Sequence, residues 1–556
     1  MQSEFSIVRQ DRFIQATRNS GYKGTESALS ELIDNSIQAG ATRVAISMLA
    51  VETEYSGVGK PAMPRVVEVA IADNGRGMDA ELLRRALRFG DTSRFNDRSG
   101  LGRFGMGLPN ASVSQCKRVE VYSWQGGQPP LWTYVDVDEV ADGKMIEVPA
   151  PIETVVPMPN AELIDKRQGT LVVLRNCDRL DHDGKNETLE RTLRHGLGRI
   201  FRYFLIEGRE LTLNGRKIEP FDPLYLMPQA RLRDDPLATQ HGDTLRFSVP
   251  ILGYSDQNST VEVSLSLLPE AWQSNATKKE LQRRHIDSTS GFSIVRARRE
   301  IDLIRSPYHA KHWTDRWYRA ELRFEPELDE VFCVTHTKQH ASIKRGSAIY
   351  EKLREAVIAN IATLKDVIVA RGKKAHVATT VRAEEAAQRV LPRLRAIEGL
   401  ANKPEAEVAF EISEFLTLAT MDRADGAKER LEERLSKYEV LMEYEQLPGA
   451  PFYRTRVVGR SIVVLLNTAH RFYERVYRRI EGESPLGKTG VDLLLMALGR
   501  CEALGGDELQ NWYDDQRHEW SQHLKAFVEQ LDEPEQPVPA GESANGDLQV
   551  APPGLV

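Results

Sequence analysis

Glu31 and Asn35 lie four residues apart in a stretch, residues 27–40, that contains no proline and no interior glycine. On a helix that spacing sets both on one face, so a carboxylate and a carboxamide meet the same small site. The carboxylate can act as a general base toward water, and the carboxamide oxygen can ligate a hard cation. Further along, an apolar run ends in Asp73, Asn74, Gly75, Arg76, Gly77 and Met78. A short carboxylate at a strand end can accept a hydrogen bond from an amino group, and the glycines remove side chains that would block a flat ring. A third stretch sets Gly100, Gly102, Gly105 and Gly107 ahead of a helix-like segment at 111–116. Closely spaced glycines before a helix leave N–H groups free to face phosphate oxygens, and the helix dipole adds to the attraction. The loop lacks Gly-Lys-Ser/Thr, so it is no Walker loop, and it follows polar residues rather than a strand, unlike a dinucleotide fingerprint.

These groups need a scaffold, and the periodicity describes one. Ala28, Leu29, Leu32, Ile33 and Ile37 form an apolar stripe at helical spacing, with the Thr25 hydroxyl as the expected cap and Gly40 as the stop. Residues 43–49, 66–72, 118–124 and 170–175 read as strands, 80–89 and 189–204 as helices, and 213–216 as a turn. The sum is an α/β sandwich over residues 1–225, with helices gathered on one face of a sheet. Strands return at 244–252, 261–268, 291–301 and 317–324, followed by helices at 342–370. This makes residues 226–374 a second, α+β domain. Residues 375–446 are helical and laced with charge. A small mixed, mainly helical domain at 447–531 opens on a buried strand, 461–467, followed by helices at 470–480 and 490–531. Residues 532–556, rich in proline, glycine and acid, read as a disordered tail. No nuclease-type carboxylate cluster stands out in 447–531, and His470 and Tyr473 read as packing residues.

The 556 residues carry a net charge of −7, too mild to advertise a nucleic-acid binder unless a local basic face hides within it. The four cysteines are scattered, with no CxxC, which fits neither a disulfide framework nor a zinc site and points to a reducing cytoplasm. No run is long enough to span a bilayer, and the N-terminus lacks a signal-like apolar core, so no membrane is expected as a partner.

Glu31 with Asn35, Asp73 with Gly75 and Gly77, and Gly102 with Gly105 and Gly107 stand in the order and context that resemble the GHKL ATPases. That superfamily includes gyrase B, MutL, histidine kinases, the large heat-shock chaperones and the MORC proteins. Gly169-Thr170, opening a strand, resembles its fourth element. The resemblance covers about residues 10–220 and implies a Bergerat-type fold binding ATP and Mg²⁺. Glu31 would be the general base, Asn35 the magnesium ligand, and Asp73 the acceptor from the adenine amino group, with Thr170 in support. Gly75, Gly77 and Met78 would border the ring. Gly102, Arg103, Phe104, Gly105, Met106 and Gly107 would wrap the phosphates, and residues 90–99 would form a lid.

Histidine kinases lack a domain like 226–370. The other branches follow the ATPase with a transducer that lends a cation to the γ-phosphate, and residues 334–340 resemble that loop, with Lys338 as the cation. Residues 291–301 resemble a MORC-like transducer strand. The layout is closest to MORC-like or standalone bacterial GHKL ATPases. The resemblance therefore implies a slow ATPase that homodimerises on ATP binding, with residues 1–20 crossing to the partner. Lys278, Lys279, Arg283, Arg284, His285, Arg296, Arg298, Arg299, Arg305, Lys311, Lys344 and Arg345 concentrate positive charge in the second domain. A clamp can hold duplex DNA there by phosphate contacts, in chromosome handling or antiviral defence. The alternative is a chaperone-like or signalling switch acting on a partner protein through the C-terminal helices.

Overall fold

The computed structural model describes the chain apart from residues 1–8, 20, 54–62, 91–106, 166, 231, 233–234, 255, 275–276, 307, 309–311, 335–340, 343–345, 395, 420–426, 479, 481–483, 506–508 and 531–556, and apart from the side chains at 10–11, 274, 372–379, 398 and 485. Residues 91–99 of the expected lid (90–99), most of the glycine loop, Lys338 and the acidic tail lie outside the described residues. The chain forms two compact units, one of Met1–Gln273 with Lys279–Ala370, the other of Ser274–Lys278 with Arg371–Val556.

The first unit opens with α1 (Gln10–Asn19), α2 (Thr25–Gln38), β1 (Arg43–Thr53), β2 (Met63–Asp73) and α3 (Ala80–Ala86). Next come α4 (Gly107–Gln115), β3 (Cys116–Trp124), β4 (Leu131–Asp136), α5 (Val137–Ala141), β5 (Ile152–Glu153) and β6 (Gly169–Cys177). Its first sheet is completed by a run of α6 (Asn186–Ile200), α7 (Arg202–Ile206), β7 (Glu210–Leu213) and β8 (Arg216–Lys217). The strands make one sheet in the order β5-β4-β3-β6-β2-β1-β7-β8. Strand alternation sends Val69 and Ile71 of β2, Val119 and Val121 of β3, and Val172 and Leu174 of β6 into one core with Leu29, Leu32, Leu193 and Leu197 of the helices. Ala70, Ala72, Tyr122, Trp124, Leu171 and Val173 turn to the opposite face, where Val156 and Leu163 cover them.

Two details differ from the sequence reading. Thr25 does not cap α2 with its hydroxyl, which instead donates to Gln115 Oε1 at 2.9 Å and accepts from Asp181 N at 2.8 Å. Asp181 does the capping from a distance, its Oδ2 accepting from Thr25 N at 2.8 Å. The helix expected over 189–204 is broken at Phe201 into α6 and α7. α1 sits on its own domain, with Ile14 in the core and Arg18 donating to Val113 O at 2.8 Å and to Asp178 at 2.5 Å.

The second sheet of this unit contains β9 (Thr239–Gln240), β10 (Leu245–Pro250), β11 (Asn258–Leu267), β12 (Phe292–Arg296), β13 (Arg299–Ile304) and β14 (Tyr318–Phe324). Its order is β10-β11-β14-β12-β13, with β9 on β11. The single strand expected at 291–301 is a hairpin. Ala297 and Arg298 both take positive φ, 48° and 68°, the geometry of a two-residue turn matched to strand twist, without the usual Asn-Gly to announce it. A continuous helix, α10 (Ala348–Val390), follows, and the sequence boundary drawn at 374 falls within it.

In the second unit, α11 (Glu398–Ala401), α12 (Glu405–Ala419) and α13 (Ala427–Lys437) precede β15 (Val440–Glu445), β16 (Tyr453–Val458) and β17 (Ser461–Asn467). Then come α14 (Pro485–Leu504) and α15 (Gln510–Gln530). Only β17 was expected as a strand, yet it pairs with β15 in parallel and with β16 antiparallel. Phe415, Leu416 and Leu431 pack on one face of this sheet, and Leu495 and Met496 on the other. Among the helices, Lys488 is fully buried, donating to Asp492 at 2.6 Å and to Thr380 at 3.0 Å, while Tyr477 donates to the other Asp492 oxygen. Among the described residues, no helix is long and apolar enough to cross a membrane.

Two stability predictions follow from buried ionisable groups. Removing one member of a buried pair strands the other, so Lys488→Met is expected to lower stability by about 3–5 kcal/mol in urea denaturation, and Lys488→Met with Asp492→Leu by less. In the first unit the His195 and His285 rings stack at 3.7 Å. Burial first, then the neighbouring His285 and Arg199 charges, pushes His195 down to about 3, and burial lowers His285. The unfolded imidazole therefore takes up protons that the folded ring refuses. This contribution is complete above an ordinary imidazole pKa of about 6.5 and is lost as pH falls through that value toward the folded one. Melting temperature between pH 7 and 5 is expected to fall less steeply in His195→Phe than in the wild type.

Candidate functional site

Three adjacent strands align one polar row. Ser123 of β3 pairs with Thr170 of β6, and Thr170 with Asp73 of β2. All three continue the alternation that faces the helices. Asp73 is buried; its Oδ1 accepts from Gly75 N and its Oδ2 from Ser36 Oγ on α2, each at 2.8 Å. Burial raises its carboxyl above the ordinary range, opposed by the bonds from Gly75, Ser36 and Thr170. A buried carboxylate with its donors set to one side is suited to accept a further N–H.

The turn after Asp73 is fastened at several points. Asn74 Oδ1 accepts from Thr42 N and Arg43 N, both at 2.9 Å, tying the turn to the connection between α2 and β1. Met78 N donates to Ser123 Oγ at 2.8 Å, and that hydroxyl stands 3.1 Å from Thr170 Oγ1. Gly77 has φ of 66°, and a Cβ there would strike the Trp124 carbonyl oxygen, so both conformation and space demand glycine. Arg76 is exposed.

Glu31 is only 3% exposed, midway along α2. It lies against Gly107, the first residue of α4, where a Cβ would collide with Glu31 Oε1. Asn35, half-buried, follows one turn later, and its carboxamide makes no hydrogen bond among the described residues. Helix α2 thus sets Glu31 beside Gly107, while Ser36, next to Asn35, holds Asp73. Gly102, Arg103, Phe104, Gly105 and Met106 lie outside the described residues, as does Lys338. Sequence reasoning missed Ser36 and Ser123. Ser36 directly follows Asn35, and Ser123 continues the inward-facing series of Val119 and Val121, so strand alternation was the available signal for it.

The family of histidine kinase-, DNA gyrase B- and HSP90-like ATPases matches residues 22–170, a span that holds α2, the Asp73 turn, Gly107 and Thr170. Residues 22–170 are therefore a domain of the GHKL type. A DNA mismatch repair protein MutL from Leptospira biflexa serovar Patoc is 28% identical over 243 residues, covering 40% of this chain and 34% of that protein. The chain thus matches over about a third of that relative's length. The polar row at Asp73 lies inside this span and is the candidate nucleotide site. Asp73→Asn replaces an acceptor with a group that also donates, and it is expected to weaken nucleotide binding at least about tenfold, consistent with one buried hydrogen bond to a charged group. Titration calorimetry with ATP measures this, with the melting temperature as the control for folding.

Proposed function

We propose that this chain binds ATP with Mg²⁺, hydrolyses it slowly, and closes a homodimer through its N-terminal domain when ATP is bound. The observation that carries the reading is that α2 presents Glu31 against Gly107, Asn35 one turn on, and Ser36 on the Asp73 carboxylate. Asp73 receives the adenine amino group, with Thr170 and Ser123 behind it, and Gly75, Gly77 and Met78 border the ring. The N-terminus of α4, with Gly102, Arg103, Phe104, Gly105 and Met106 ahead of it, receives the phosphates. Glu31 orients the attacking water and takes its proton.

The free Asn35 carboxamide fits the metal, because Mg²⁺ prefers few protein oxygens and completes its shell with phosphates and water. When bound, the ion neutralises charge on the phosphates. Lys338 supplies the second cation, from a transducer-like domain at 226–374, which makes nucleotide state a control on domain docking. We place the protein in the cytoplasm, where its four unbridged thiols stay reduced.

For the client, duplex DNA is supported by the relative's role in DNA mismatch repair, and we place the chain with MORC-like or standalone bacterial GHKL ATPases in DNA handling or antiviral defence. The basic cluster behind that idea is narrower than the sequence implied. Arg283 and Arg284 pair with Asp235 and Glu280, Arg296 with Asp329, Arg298 with Glu207, and Arg299 with Asp34. Lys278, Lys279 and Arg305 are exposed. This neutralisation favours a second reading, a chaperone-like or signalling switch acting on a partner protein. The exposed Trp512, Trp520 and Phe527 of α15 are the side chains such a partner would cover.

Light scattering with ADP, a non-hydrolysable ATP analogue or ATP tests the dimer. The analogue is expected to double the mass of the wild type, and ATP to trap the dimer of Glu31→Ala. An unchanged mass despite ATP turnover would refute it. Salt-dependent retardation of duplex DNA by the closed state then separates the two clients.

A further inference from the structure

Strand β13 is the edge of the second sheet, and its residues reach the helix that bears Glu31. Arg299 Nε lies 3.3 Å from Asp34 Oδ2, and these side chains are 3% and 0% exposed. Asp34 follows Glu31 by three residues and immediately precedes Asn35. The next residue of the strand, Glu300, pairs with Arg199 and Arg202. Arg199 in turn reaches Glu26 Oε1 at 3.1 Å, in the first turn of α2. Asp302 stands 3.4 Å from Lys23, just ahead of the helix. One strand of the second domain therefore grips α2 before, at the start of, and beyond Glu31.

A fully buried ion pair contributes little net stability over well-packed apolar side chains, because desolvation offsets the attraction. What it adds is direction, since a misaligned pair leaves a charge unmatched in a dry interior. We propose that Arg299 is a positioning residue for ATP hydrolysis: through Asp34 it fixes the rotation and height of α2, so that docking of the second domain aims Glu31 and Asn35. This rests on the ATPase reading above. A displacement of about 1 Å at a reacting group can cost on the order of a hundredfold in rate, so a small shift of α2 suffices to switch turnover while the Asp73 end still binds nucleotide.

The test uses the full chain and measures ATP turnover and ATP affinity separately. Arg299→Gln with Asp34→Asn removes both charges together and leaves neither stranded. It is expected to keep its melting transition and bind ATP within about threefold of the wild type, while kcat falls at least tenfold. Arg299→Lys, which retains the charge, is expected to recover part of that loss. A double variant with wild-type kcat would overturn the proposal, as would a matched loss of kcat, affinity and melting temperature, which marks simple damage to the fold. A wild type that neither binds nor turns over ATP would overturn the ATPase reading itself. Turnover preserved in every variant would leave that reading standing and remove only the role of Arg299.

Discussion

A carboxylate in an apolar interior is tolerated only where donors stand ready for it, and the arrangement around Asp73 sets much of what surrounds it. Its donors come from three elements: the Ser36 hydroxyl from α2, the Gly75 N–H from the following turn, and Thr170 from the neighbouring strand. Each must arrive together with its own element. The register of β2 against β6 places Thr170, and the packing of Leu29, Leu32 and Ile33 places Ser36. A slip of one residue in either strand would send Asp73 or Thr170 to the opposite face of the sheet. The same slip would bring Ala72 or Leu171 to the row, where neither has a polar atom on its side chain.

Much of this was legible because the relevant signals are local. Helical spacing placed Glu31 and Asn35, the end of an apolar run placed Asp73, and two glycines marked a turn that tolerates nothing larger at Gly77. What escaped was settled by partners far away in sequence. The cap of α2 comes from Asp181, 156 residues from Thr25, so a threonine at the expected position read as the cap when it is itself held by Gln115. The hairpin at 297–298 carries no glycine or asparagine, and its strands read as one continuous run. β15 directly follows a charge-laced helix, and both it and β16 enter the sheet only by pairing with β17.

The basic residues of the second domain show the same limit in electrostatic form. A run such as Arg296, Arg298 and Arg299 looks like a surface offered to phosphates, because sequence displays charge without its partner. In the folded chain each meets a carboxylate, Asp329, Glu207 or Asp34, between 33 and 265 residues away. Two of the three arginines are buried. Charge density along a chain is therefore poor evidence for a nucleic-acid face when acidic residues are as plentiful as here, 81 against 74 basic ones.

Successive residues on a helix differ in direction by about 100°, and residues 34 to 36 exploit this. Asp34 turns to Arg299 of the second domain, Asn35 stays half-buried with its carboxamide free of described partners, and Ser36 turns to Asp73 in the sheet. Three neighbouring side chains thus address three parts of the unit from one rigid rod, with Glu31 a turn before them beside Gly107. A rod cannot answer one of these contacts without moving the others. Any motion of β13 that pulls on Asp34 alters the aim of Glu31, while Asp73 keeps its Gly75 and Thr170 donors, which do not travel with the helix. Coupling between the second domain and the proposed nucleotide site would then require no long relay of contacts, because both are attached to the same turn of helix.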